Sequence, residues 1–148
     1  MRINGKWLIC DDGETRPVVE GLARLADGQW HEVLFLLDGG ADRTVLSARF
    51  LHLLQELEVI EFEPSRLSGV GGQVNTITIE TAIGFTRNDG RQITVRGTFR
   101  VFTEIESADM SVLGRDVTNN FSVIYDYPGQ TVTLLAPPHS YQIAPATS

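Results

Sequence analysis

Two stretches of strict alternation meet at a tight turn and set the limits on this chain's fold. Ile77, Ile79, Ile83 and Phe85 share one parity, with Thr and Glu between them, and Ile93, Val95, Phe99 and Val101 repeat the pattern. Side chains alternate faces along a strand, so each stretch reads as a half-buried strand. Asn88-Asp89-Gly90 between them is a hairpin signal, because Asn and Gly tolerate positive φ. A second hairpin is expected near Asp27-Gly28, between Val18–Leu25 and His31–Leu37. A third is expected at Asp126-Tyr-Pro128-Gly129-Gln, joining Ser122–Tyr125 to Thr131–Leu135, with Pro and Gly in the type II positions. Helical periodicity is confined to Ser47–Leu57, where Phe50, Leu54 and Leu57 share a face behind a Ser47 N-cap, and to a short turn after Gly114. The pattern predicts an all-β protein with one or two short helices and its sheet closed as a barrel.

The length of 148 residues suits one domain. A net charge of -7 and scattered basic residues exclude the basic footprint of a nucleic-acid binder. Cys10 is the single cysteine, which rules out an internal disulfide. The opening residues lack the apolar core of a secretion signal, and the longest apolar run, Val33–Leu37, is too short for a membrane span. The expectation is a soluble protein of the cytoplasm.

The candidate chemistry lies where Val33-Leu-Phe-Leu-Leu37 runs into Asp38-Gly39-Gly40-Ala41-Asp42. A buried strand delivers a carboxylate, and two glycines let the chain turn and let another backbone approach. Such a carboxylate must be solvated by a cleft, hydrogen-bonded or protonated. A calcium reading of Asp38-x-Gly40-x-Asp42 fails for want of the remaining ligands and a closing Glu. Gly69-Val70-Gly71-Gly72 has no following Gly-Lys-Ser/Thr, which removes a phosphate loop. His31, His52 and His139 lack ligand spacing, so no metal is expected.

Three segments in order carry a resemblance: Asp38-Gly39-Gly40-Ala41, then Gly69-Val70-Gly71-Gly72, then Val112-Leu113-Gly114-Arg115-Asp116. Together they resemble the retropepsin-like aspartic proteases over about His31 to Leu135. The resemblance implies a closed β-barrel of the acid-protease type with one lobe per chain. It divides the chain into an extension over residues 1–30, a protease domain over 31–136 and an irregular tail over 137–148. Asp38 would be the catalytic carboxylate, with Gly39, Gly40, Ala41 and Asp42 in the cleft loop. Gly69, Val70, Gly71 and Gly72 would form a flap over an extended polypeptide substrate. Val112, Leu113, Gly114 and Arg115 would support the loop, Arg115 pairing with Asp42.

The implied chemistry needs two carboxylates. In the familiar aspartic-protease arrangement, neighbouring carboxyl groups share one proton, and one activates water while the other protonates the carbonyl. This chain has one such loop, so the resemblance implies a homodimer with an Asp38 from each subunit, and no cofactor. One position departs from the family. A Thr or Ser normally follows the catalytic Asp, and its hydroxyl braces the two loops across the dimer axis. Here Gly39 stands there. The departure implies a weak enzyme, a loop braced by other means, or an inactive dimerisation and peptide-binding module on the same fold.

Overall fold

The computed structural model describes residues 1–53, 59–61, 76–104 and 110–146. Among these residues the strands are β1 (Arg2–Ile9), β2 (Thr15–Arg24), β3 (Trp30–Leu37), β4 (Val45–Leu46), β5 (Val59–Glu61), β6 (Thr76–Thr86), β7 (Gln92–Phe102), β8 (Ser111–Leu113), β9 (Ser122–Asp126) and β10 (Thr131–Leu135). A 3-10 turn covers Ala48–Leu53, and a short helix, α1, covers Arg115–Thr118. The strands run in the order β5-β6-β7-β4-β8-β3-β2-β1-β10-β9. An additional antiparallel pairing, Leu22 to Gly84 and Ala23 to Ile83, joins β2 to β6 and closes the middle of this sheet on itself. The expected all-β barrel architecture is therefore present.

The alternating stretches behave as their periodicity requires. Ile79, Ile83, Phe85, Phe99 and Val101 are buried, and the register of β6 against β7 runs unbroken from Thr76↔Phe102 to Thr86↔Gln92. Gly90 takes the positive φ that the turn demands (83°). In β3, Val33, Phe35 and Leu37 face the core while Leu34 and Leu36 are half-exposed, so one strand serves two faces. The Phe35 and Phe85 rings meet at 6.0 Å, and both press on Gly21, where a Cβ would come within 3.0 Å of either ring. A side chain there would force the centre of the core apart.

Two local expectations are corrected. The turn after Tyr127 is not type II: Gln130 N–H donates to Tyr127 O at 3.0 Å, but the left-handed residue is Gln130 (φ 56°), and Gly129 does not have positive φ. Gly129 instead leaves room for a neighbouring side chain. The Asp126 carboxylate accepts its N–H at 2.9 Å and lies where a Cβ would stand. The helix expected from Ser47 begins as a 3-10 turn, with Phe50 buried; Leu54 and Leu57 lie outside the described residues.

The first strand makes a connection that alternation does not announce. β1 pairs antiparallel with β10 from Arg2↔Leu135 to Gly5↔Val132, and with β2 from Lys6↔Val18 to Ile9↔Thr15. The strands nearest the two ends of the chain are thus partners within it. Residues 137–146 contain no strand or helix.

Candidate active site

Asp38 sits at the end of β3, half-buried, where the strand leaves the core. β3 runs parallel to β8, with Leu37 beside Leu113, and Asp38 N–H donates to Leu113 O at 3.2 Å. The loop then turns on itself. Gly40 N–H donates to Asp38 Oδ1 at 2.9 Å, and Ala41 N–H to Asp38 O at 3.2 Å. The carboxylate is therefore oriented by its own loop, with one oxygen held by a backbone donor.

The segment after β8 holds this loop from below. Arg115 N–H donates to Ala41 O at 2.9 Å, and Asp116 N–H to Asp42 O at 3.2 Å. Gly114 passes so close to Arg43 that a Cβ would lie 2.6 Å from the Arg43 carbonyl oxygen. Only glycine allows the two backbones this approach. The Arg115 side chain reaches back over the loop: Nη1 donates to Gly39 O at 2.8 Å, and Nη2 pairs with the Asp42 carboxylate. The structure thus brings together Asp38, Gly39, Gly40, Ala41, Asp42, Leu113, Gly114 and Arg115. Val112 stands one step earlier on β8, level with Leu36 and Val45. Gly69, Val70, Gly71 and Gly72 lie outside the described residues.

Beneath the loop is a knot that the motif reading missed. Thr44 is fully buried. Its hydroxyl donates to Asp116 Oδ1 at 2.7 Å and accepts Gly114 N–H at 3.0 Å, while its N–H donates to the same carboxylate at 2.9 and 3.0 Å. The buried Thr44 hydroxyl, the Thr44 N–H and the Gly114 N–H are all thereby satisfied. The available signal was a lone hydroxyl residue inside the apolar approach to Val45-Leu46, in a chain with an Asp directly after Arg115.

An open groove of about 780 Å³ is lined by Leu36 and Val112, each two residues before a residue of the site (Asp38 and Gly114), and by Leu8, Cys10, Arg16 and Met110 among others. The Asp12–Arg16 ion pair is part of its lining. That pair and the Glu14 N–H lower the Asp12 pKa from 3.8 to about 2. Among the described residues, no three His, Cys, Asp or Glu side chains cluster as metal ligands would, and no helix is long and apolar enough to cross a membrane.

No protein-family model and no curated protein matches this chain. Solved structures do. A retropepsin-like aspartic protease from Rickettsia conorii aligns over 90% of this chain and 88% of its own, at 16% identity and a TM-score of 0.53. The EIAV protease bound to the inhibitor HBY-793 aligns over 75% and 92%, at 26% identity and a TM-score of 0.48. The retroviral protease-like domain of Ddi1 from Leishmania major aligns over 82% and 94%, at 14% identity and a TM-score of 0.46. The Rickettsia likeness extends over nearly the whole of both chains, and with the closed sheet and the parallel β3–β8 seam it identifies the architecture: this chain has the fold of the retropepsin-like aspartic proteases.

Proposed function

We propose that this protein is an aspartic endopeptidase acting on extended polypeptides, with the active site formed by one Asp38 from each subunit of a homodimer. The observation that carries this reading is the position of Asp38. A half-buried carboxylate stands at the end of a core strand, held by a backbone donor, in a loop anchored from Leu113 to Asp116. The bond from Gly40 N–H is the ordinary bond of an Asp turn, made also by Asp12, Asp27 and Asp89, so the weight falls on the anchoring of the Asp38 loop by Leu113, Arg115 and Asp116, which those turns lack. With two such carboxyl groups sharing a proton, one takes a proton from water as it attacks the peptide carbonyl, and the other donates to the carbonyl oxygen. The proton-sharing state belongs to the pair, so the pH profile reports both groups together. The apolar groove beside Leu36 and Val112 supplies a surface for substrate side chains.

Gly39 favours a second reading, a non-catalytic dimerisation and peptide-binding module on the same fold. One experiment separates the two. Purified protein is incubated with a peptide library between about pH 4 and 7, beside an Asp38→Asn variant. The endopeptidase reading expects cleavage that disappears in the variant, and cleavage surviving in Asp38→Asn would defeat it. The binding-module reading expects peptide binding with no turnover, unchanged by Asp38→Asn.

A further inference from the structure

Asp38 shares a parity with Leu34 and Leu36 of β3, opposite to the core-facing Val33, Phe35 and Leu37. The ladder carries this alternation past the end of the strand, because Asp38 N–H still donates to Leu113 O at 3.2 Å. Leu34 and Leu36 line the groove of about 780 Å³, and so does Val112, the partner of Leu36 on β8. Two residues along a strand span roughly 7 Å, which is also the spacing of two residues in an extended peptide. A peptide whose scissile bond lies at Asp38 therefore presents a nearby side chain to this groove.

The lining combines apolar side chains with a charged turn. Leu8, Leu34, Leu36, Met110 and Val112 are each half-buried and leave apolar surface open to an occupant. The β1–β2 turn adds Asp11, Asp12 and Arg16. Arg16 is already engaged, with Nη1 and Nη2 donating to the two Asp12 oxygens at 2.9 and 2.6 Å. The Asp12 carboxyl titrates at about 2, so this pair stays closed in mild acid and Arg16 is not a free cation for an acidic side chain. Asp11 differs. Its side chain is exposed and has no hydrogen-bond or ion-pair partner among the described residues. The groove thus offers apolar surface together with an uncompensated negative charge. A long basic side chain matches both, because its methylene stem lies along apolar surface while its head stays wet and reaches a carboxylate.

We propose that this groove selects a long basic side chain of the substrate, Lys or Arg, with Asp11 as the residue that recognises its charge. The proposal rests on the reading of Asp38 as the reacting carboxylate, because that reading sets the scissile bond next to the groove. Met and Leu cover the same apolar surface but leave Asp11 facing only water. Glu meets Asp11 as a like charge and finds Arg16 already paired. The net charge of -7 acts in the same sense, drawing basic peptides towards the chain.

The test uses a library of peptides of about eight residues in which Lys, Met or Glu fills each position in turn. Cleavage by the wild-type chain is measured at about pH 6 and low salt. Binding of the same peptides to the full Asp38→Asn chain is measured by fluorescence anisotropy, which needs no turnover. At one position Lys should be preferred to Met by roughly threefold to fivefold in both measurements, the range of a solvent-open ion pair, with Glu the poorest of the three. In Asp11→Asn the Lys-to-Met ratio should fall to about one, and in wild type it should shrink at about 0.5 M salt. Equal use of Lys and Met, or a ratio that Asp11→Asn leaves unchanged, overturns the proposal; cleavage that still depends on Asp38 would leave the endopeptidase reading standing. A Lys preference in binding that depends on Asp11, with no cleavage by wild type, supports the groove's selectivity and overturns the endopeptidase reading.

Discussion

The Arg115 guanidinium donates through Nη1 to the Gly39 carbonyl at 2.8 Å while Nη2 holds the Asp42 carboxylate. One planar fork thus ties together the residue after Asp38 and the residue that ends the turn. Because the acceptor at position 39 is a backbone carbonyl, this brace does not depend on a side chain there. It acts within one chain, whereas the hydroxyl that Gly39 lacks would act between chains.

Arg115→Lys is the direct test of that brace. Lysine keeps the charge but presents a single ammonium in place of a rigid fork, so it cannot hold both acceptors in one geometry. Both partners are open to solvent, Arg115 at 45% and Asp42 at 78%, and the ion pair itself contributes at most about 1 kcal/mol. The expected result is a small change in melting temperature with a fall in kcat of roughly tenfold or more, since small misplacements of a reacting group are expensive. Steady-state kinetics and a thermal melt on the same preparation check it. An unchanged kcat would mean the loop keeps its shape without the fork.

Gly39→Thr asks whether the cross-subunit brace can be put back. A Cβ added at Gly39 meets no atom within 4 Å, and Gly39 does not need positive φ. The variant should therefore fold normally. A hydroxyl hydrogen bond from each subunit adds roughly 1 kcal/mol, so two-fold assembly should tighten by about tenfold or more. The dimer dissociation constant, measured by sedimentation, decides the matter. No gain would show that the loop geometry set by Arg115 does not present position 39 to a partner.

Thr44 offers a prediction about stability rather than rate. Thr44→Val keeps the shape but removes a hydroxyl that both donates to Asp116 and accepts from Gly114 N–H. The buried Gly114 N–H is then left without a partner, at a cost of about 1–3 kcal/mol. Thr44→Ser keeps the hydroxyl and should lose much less. Urea unfolding of the two variants beside wild type measures the difference, and a loss in Thr44→Ser as large as that in Thr44→Val would show that the hydroxyl is not the larger contribution of this side chain.

What was legible in the sequence, and what was not, follows from the range of each interaction. Asn88-Asp89-Gly90 was readable because a hairpin is decided by residues in contact along the chain. The parity of Ile79, Ile83 and Phe85 was readable because burial repeats every second residue. The Asp38 loop and Gly114-Arg115 were readable only as separate segments whose joint meaning came from a family resemblance. Their actual contact depends on the parallel pairing of β3 with β8, to which no local pattern points. The β1–β10 pairing was hidden for the same reason: Arg2 and Leu135 are neighbours across almost the full length of the chain. At Gly129 the residue was noticed but its cause misjudged. Composition alone cannot tell a glycine needed for positive φ from one that leaves room for the Asp126 carboxylate.

The β1–β2 turn that walls the groove is predicted to loosen in acid, with a sign fixed by Asp12. Arg16 donates to both Asp12 oxygens, from Nη1 at 2.9 Å and Nη2 at 2.6 Å, and Glu14 N–H donates to Oδ1 at 3.0 Å. These bonds favour the charged carboxylate and lower its pKa from 3.8 to about 2. A carboxyl group depressed on folding contributes stability that is fully present above its unfolded value. That contribution is lost as pH falls from about 4 through 2. A carbon-detected NMR titration should place the Asp12 midpoint near the lower end of this window. In Arg16→Gln, the midpoint should move back towards 3.8 without reaching it, because the Glu14 N–H remains. If the midpoint does not move in Arg16→Gln, the ion pair is not what holds the turn, and the wall of the groove would be set by the backbone bonds between Cys10, Gly13 and Glu14 instead.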